Sequence, residues 1–150
     1  IGINYGAEKN DRVISSFKIF AVAATVMMFP FWLFSMIDPK MVLGLMFVDK
    51  NIDLQSLLYF RIYMMILPLL PVIFMMMTFY PAINKGKPAA IIGIIRQVVF
   101  FFPVMLILPR VFGIRWVYYG SLIIDLVIVC MVMIFIKIEF DILRKNQLKN

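Results

Sequence analysis

Four long apolar runs, separated by short charged loops, restrict what this chain can become. They are Ser15–Ile37 (SSFKIFAVAATVMMFPFWLFSMI), Leu57–Tyr80 (LLYFRIYMMILPLLPVIFMMMTFY), Pro88–Leu108 (PAAIIGIIRQVVFFFPVMLIL) and Trp116–Ile138. A helix needs roughly 20 apolar residues to cross a hydrocarbon core of ~30 Å, and each run has about that length. The runs are too long for strands and show no alternation of period two. The expected fold class is therefore all-α, a polytopic membrane protein with four transmembrane helices. Composition agrees: 64% of the 150 residues are hydrophobic, too many for a soluble domain to cover. Asp11 is expected to cap the first helix. Between the first two runs, Met41 to Val48 is too short to span and is expected as a short interfacial helix.

The formal charge is +7. The basic residues are scattered among the apolar runs, which fits membrane flanks and argues against a nucleic-acid partner. One side of the four-span topology holds Lys9, Arg12, Lys18, Lys85, Lys87, Lys137, Arg144, Lys145 and Lys149, the other Lys40, Lys50, Arg110 and Arg115. By the positive-inside rule both ends of the segment should be cytoplasmic, in a multi-pass protein of the inner membrane. The chain has no His and a single cysteine, Cys130. No disulfide framework or cysteine-cluster metal site can form within one chain, and no Gly-rich phosphate loop appears. An enzyme is not expected, nor a cofactor or resident metal. Cys130 is expected to be a small buried hydrophobe. No cleavable signal sequence is visible. The opening, IGINYGAEKN, lacks Met and suggests a piece of something longer.

Three charged residues fall inside the runs. Arg61 lies about four residues, roughly 6 Å of rise, into the second, shallow enough to snorkel. Arg96 is about eight residues, ~12 Å, into the third. Asp125 lies near the middle of the fourth, where a carboxylate costs ~2.5–3.5 kcal/mol on insertion scales and normally faces protein or a wet cavity. Tyr118, Ser121 and Asp125 follow i, i+3, i+7 spacing and share one helical face. The third and fourth runs should be antiparallel neighbours, with Arg96 and Asp125 within about two turns of each other. One reading is a buried polar tie, Asp125 with Arg96 or with the hydroxyls. Another is a site for a coupling cation or proton, since desolvation favours a neutral carboxyl. A third is a residue that only hydrates a cavity. Pro30, Pro68, Pro71 and Pro103 are expected to kink their helices, either as hinges along a path or as shapers of packing. Met64, Met65, Met75, Met76 and Met77 offer adaptable apolar contact to a substrate, or face lipid and core.

The loops carry a resemblance. Asn4 to Val13, NYGAEKNDRV, resembles the Asn-Tyr-Gly-Ala signature that follows the eighth of twelve helices in multidrug and toxic compound extrusion (MATE) transporters. Asn4, Tyr5, Gly6 and Ala7 match it directly. INKGKPAAIIGIIRQVVFFFPVMLILP is similar to that family's linker and eleventh helix, with Lys85, Gly86, Lys87, Arg96, Gln97 and Pro103 on the matching positions. FGIRWVYYGSLIID is similar to the loop and twelfth helix that follow, matched at Phe112, Gly113, Val117 and Asp125. LMFVDKNIDL resembles the stretch before helix ten. Pro81, Asn84 and Trp116 depart from the pattern.

The resemblance implies that the four helices form part of the C-terminal six-helix lobe of a twelve-helix transporter. Residues 1–14 would be a cytoplasmic loop after a missing helix, 15–140 the four-helix part of the lobe, and 141–150 a cytoplasmic tail. It implies secondary active efflux of organic, often cationic, compounds by antiport with Na⁺ or H⁺. The partners would be the lipid bilayer, small organic substrates and the missing N-terminal helices. Candidate ion-coupling or cavity residues are Asp125, Tyr118, Ser121 and Arg96. The resemblance does not itself assign coupling to Asp125: the family's best-known cation-binding carboxylates lie on helices one, seven and ten, and the run matching the tenth has none. Three alternatives stay open: another flippase or exporter of the same superfamily, a stand-alone four-helix transporter, and a membrane assembly subunit.

Overall fold

The computed structural model describes residues 1–46 and 52–147. The described residues are helical and contain no strand. The elements are α1 (Gly2–Gly6), α2 (Asn10–Ile37), α3 (Pro39–Met46), α4 (Leu54–Met64), α5 (Leu70–Ala82), α6 (Gly86–Ile94), a π-helical segment (Ile95–Phe101), α7 (Phe102–Phe112) and α8 (Arg115–Gln147). Three helical stretches are long and apolar enough to cross a membrane: Asn10–Ile37, Gly86–Phe112 and Arg115–Gln147, of 28, 27 and 33 residues. The chain is thus an all-α protein built for a membrane.

The second apolar run is not one helix. It is divided into α4 and α5 by a turn at residues 65–69. Pro68 and Pro71 are the cause. Neither can donate a main-chain hydrogen bond, so two rungs of the i→i−4 ladder are missing within four residues. The chain tightens instead, with Leu67 N donating to Met64 O at 3.1 Å and Leu69 N to Ile66 O at 2.9 Å. A single proline kinks a helix. Two at this spacing divide it, and neither half spans a bilayer alone.

The third run behaves differently. Its prolines, Pro88 and Pro103, and Pro109 just beyond it, interrupt nothing. The helix widens ahead of Pro103 into the π segment, where Phe102 N donates five residues back to Gln97 O. Such widenings often sit beside functional groups, and this one contains Arg96.

α8 is the hub. In their most apolar stretches, 39% of α8 is buried, against 11% of α2 and 6% of Gly86–Phe112. Ile124, Ile128, Val132, Ile136 and Leu143 of α8 meet Val13, Ile14 and Phe17 of α2, Ile73, Met76 and Phe79 of α5, and Ala89 and Ile92 of α6. Phe17, Phe79 and Phe140 stack edge to face at 5.0–6.1 Å between centroids. Gly120 lets α8 approach α7: a Cβ there would lie 2.7 Å from Leu108 Cδ2 and 2.8 Å from Val104 Cγ1. Small residues serve this purpose in membrane helices, where packing rather than hydrophobicity drives association.

α2 begins and α8 finishes at the same end of the bundle, called basal here. Asn10 Nδ2 donates to Leu143 O at 3.0 Å, and Asp11 and Gln147 exchange two hydrogen bonds at 2.9 and 2.6 Å. Asp11 is therefore not the cap of α2. Lys9 takes that position, and Asp11 sits in the first turn, where its charge favours the helix dipole and its carboxylate is engaged by α8. Within residues 1–14, α1 and the start of α2 are helical, and Gly2 approaches the end of α5 closely enough that a Cβ would meet Ala82 O at 3.2 Å. α8 runs on unbroken through residues 141–147. The short segment after α2 is helical over Pro39–Met46, while Phe47, Val48, Lys50 and Lys149 lie outside the described residues. Cys130 is exposed on the outer face of α8, against the expectation of burial. That face points away from the stripe that packs on the other helices.

Candidate functional site

Two buried carboxylates lie on the inner stripe of α8, Asp125 at 7% exposure and Glu139 at 5%. Each meets a cation from the segment that leads into and forms the neighbouring helix. Arg96, in the π segment, donates from Nε to Asp125 Oδ1 at 3.0 Å, and its Nη2 lies 2.9 Å from the same oxygen. Lys85, just before α6, places Nζ 2.5 Å from Glu139 Oε1. The helices are antiparallel, so the earlier cation meets the later acid.

Arg96 is about ten residues, ~15 Å, from the start of α6, and Asp125 a similar distance from the start of α8. The ion pair therefore lies deep within helices long enough to span. An unpaired charge is expensive there, and pairing offsets the cost. The guanidinium donates one hydrogen bond from Nε and holds Nη2 within ion-pair distance of the same oxygen, a planar geometry that lysine lacks.

Ser121, one turn before Asp125, is 4% exposed on the same stripe. One turn further, the Tyr118 ring stacks on Tyr59 of α4 at 5.2 Å and 8° between planes. The face carrying Tyr118, Ser121 and Asp125 thus turns inward, toward α4 and the π segment. Arg96 and Asp125 are in direct contact, whereas Tyr118 makes its contact with Tyr59. Gln97, beside Arg96, is exposed, and Pro103 follows the π segment half-buried. Arg61 sits exposed in the last turn of α4. Of the methionines, Met76 is fully buried, Met77 packs near Gly93, and Met75 lines an outer apolar groove with α2.

Asn4, Tyr5, Gly6 and Ala7 gather at the basal end, far from Asp125 along α8. Asn4 Nδ2 lies 3.4 Å from Ser16 Oγ, and Tyr5 packs against the core. Tyr5 and Gly6, with Glu8, Asn10, Asn84, Leu143 and Asn146, line a cavity of about 440 Å³. Glu8 and Asn84 take positive φ of 57° and 60° there, and Asn is among the residues that tolerate this best.

Glu139 lies one residue beyond the apolar run that ends at Ile138, so apolar length alone does not single it out. The available signal was its spacing from Asp125. Fourteen residues is close to four full turns, so the two acids share one face. Among the described residues no group of three or more metal-binding side chains occurs. As it stands the site is charge-compensated, with Arg96 on one oxygen of the Asp125 carboxylate.

Comparison with family models, curated proteins and solved structures finds no match to this chain.

Proposed function

We propose that this chain is part of a secondary exporter of the MATE type, moving organic, often cationic, compounds against inward Na⁺ or H⁺. The supporting observation is the pairing of the buried Asp125 with the part-buried Arg96 of the π segment, deep in spanning helices and in a bundle with a proline-divided helix. Intramembrane ionisable residues and discontinuous helices mark ion and substrate pathways in transporters. In this reading α4, the turn and α5 cross together as a discontinuous fourth span, and the basal end faces the cytoplasm. The motif residues Asn4 to Ala7 fit an ordered loop at that end, and Tyr59, Tyr118 and Ser121 line the approach to Asp125.

A second reading has one specific observation in its favour. Asp125 already has a full partner in Arg96, as a purely structural tie would require. It would suit a membrane assembly subunit. The two readings part on one experiment. Asp125→Asn is introduced into the full-length protein in vesicles, and efflux of a fluorescent organic cation is followed under a pH or Na⁺ gradient. Transport predicts reduced efflux with an altered ion dependence at normal protein yield. Unchanged efflux and ion dependence would remove the coupling role of Asp125 and leave a tie within an exporter, whereas no efflux by the wild type would favour the assembly subunit.

A further inference from the structure

The outer face of α8 near the basal end carries a crease of about 510 Å³. Met133, Ile134 and Phe140 supply its apolar walls, and Lys137, Asp141 and Arg144 its polar groups. Lys137 and Arg144 are seven residues apart, two helical turns, and so share a face. α2 brings a third cation. Asp11 touches Gln147 of α8, and Phe17 stacks on Phe140 at 5.4 Å, which sets the antiparallel register. Lys18 follows Asp11 by seven residues and lies on the same face of α2, level with the region of Phe140. The register puts it at a height between Lys137 and Arg144, on the neighbouring helix and outside the residues that line the crease. All three cations are exposed. Asp141 in the crease and Asp11 on α2, whose carboxylate keeps its charge while accepting from Gln147, offset part of the three positive charges.

We propose that this crease binds an anionic phospholipid, its phosphate among Lys18, Lys137 and Arg144 and an acyl chain along Met133, Ile134 and Phe140. α8 has 33 residues, about 50 Å against a hydrocarbon core of ~30 Å, so a crease near its end falls at headgroup level, where apolar wall and basic groups can meet one lipid. Its basic groups stand within about two turns of the apolar wall, the separation between a lipid phosphate and the upper methylenes of its chains. A contrasting groove between α2 and α5, about 460 Å³ and lined by residues such as Met27, Phe31, Phe74 and Met75, has no charged group. Nothing there selects one lipid over another. The inference does not depend on the transport reading, since a lipid site of this kind serves any multi-pass protein.

Basic residues near an anionic surface each favour it by about fivefold, and Asp141 and salt reduce the sum. A preference of about tenfold for phosphatidylglycerol over phosphatidylcholine is therefore expected. The full chain is purified in detergent and equilibrated with an equal mixture of the two lipids, and bound lipid is counted by native mass spectrometry. K18E/K137E/R144E should bring the preference below twofold. K40E/R110E/R115E, at the other end of the bundle, should leave it intact. K18Q/K137Q/R144Q, which reverses no charge, should bring it below threefold at unchanged helicity and elution volume, and it decides the matter if the Glu variant does not fold. Glycerol 1-phosphate in excess should leave most of the lipid bound. No preference in the wild type, a preference that survives both basal triples, an equal loss in the distal triple, or complete displacement by glycerol 1-phosphate would each overturn the proposal.

Discussion

Arg96 grips Asp125 through a single carboxylate oxygen, with Nε at 3.0 Å and Nη2 at 2.9 Å from Oδ1. The contact joins the π segment to α8 deep in the bundle. Neither residue would be tolerable there alone, and that asymmetry is testable. Arg96→Ala leaves the buried Asp125 carboxylate without its partner and should cost about 3–5 kcal/mol; Asp125→Ala leaves Arg96, whose side chain is 29% exposed, and should cost less. Replacing both with apolar residues of similar volume should cost far less. Thermal unfolding in detergent of the two single variants and the double variant measures the difference. Equal losses in all three would mean the pair contributes through packing alone.

Gly120 sets how closely α8 approaches α7. Adding one methyl forces Leu108 or Val104 to move, and Val104 is β-branched and stiff. Gly120→Ala should destabilise by about 1–3 kcal/mol. Adding Val104→Ala should recover part of the loss. A melting series over the two single variants and their combination checks this, and full additivity would contradict a direct clash.

Asn84 turns the chain from α5 into α6 at φ 60° and so delivers Lys85 to Glu139. Asn84→Gly should be neutral or slightly stabilising. Asn84→Val should cost about 1–2 kcal/mol, because a β-branched residue resists this conformation. Chemical denaturation of the two variants in mild detergent would separate them.

Pro68 and Pro71 hold α4 and α5 apart. Pro68→Ala with Pro71→Ala restores two main-chain donors and should join them into one helix. The expected sign is slower amide hydrogen exchange across residues 65–72. Exchange as fast as in the wild type would show that the division is imposed by packing, not by the prolines.

The Lys85–Glu139 pair should be asymmetric in the same way as the deeper one, but weaker on the lysine side, where 39% of the side chain is exposed. Lys85→Ala strands a buried carboxylate and should destabilise more than Glu139→Gln, which frees a lysine that can reach solvent. Comparing the melting temperatures of the two variants tests the order.

Much of this was legible in the residues, and the failures have physical causes. The three long helices follow from apolar length, and the meeting of Arg96 with Asp125 from depth and antiparallel order. The division of the second run was not legible as such. A proline in a membrane helix reads as a kink, and only the loss of two donors within four residues turns it into a break. The π segment leaves no mark on hydropathy at all. Glu139 lies one residue beyond the apolar run, although its spacing from Asp125 points inward. Cys130 was judged by its apolar neighbours in sequence, whereas its face on α8 decides its surroundings. Asp11 carries the chemistry of a cap, but contact with Gln147 draws it into the first turn instead.

The two ion pairs between α8 and the segment from Lys85 to Arg96 have a consequence for how that hairpin can move. A rod pinned to its neighbour at one point can still slide or pivot, but pinned at two heights it can do neither. Slippage by a single turn would unseat Lys85 and Arg96 together. The two pairs therefore set the register of the hairpin at two heights, so a shift at one is opposed by the other.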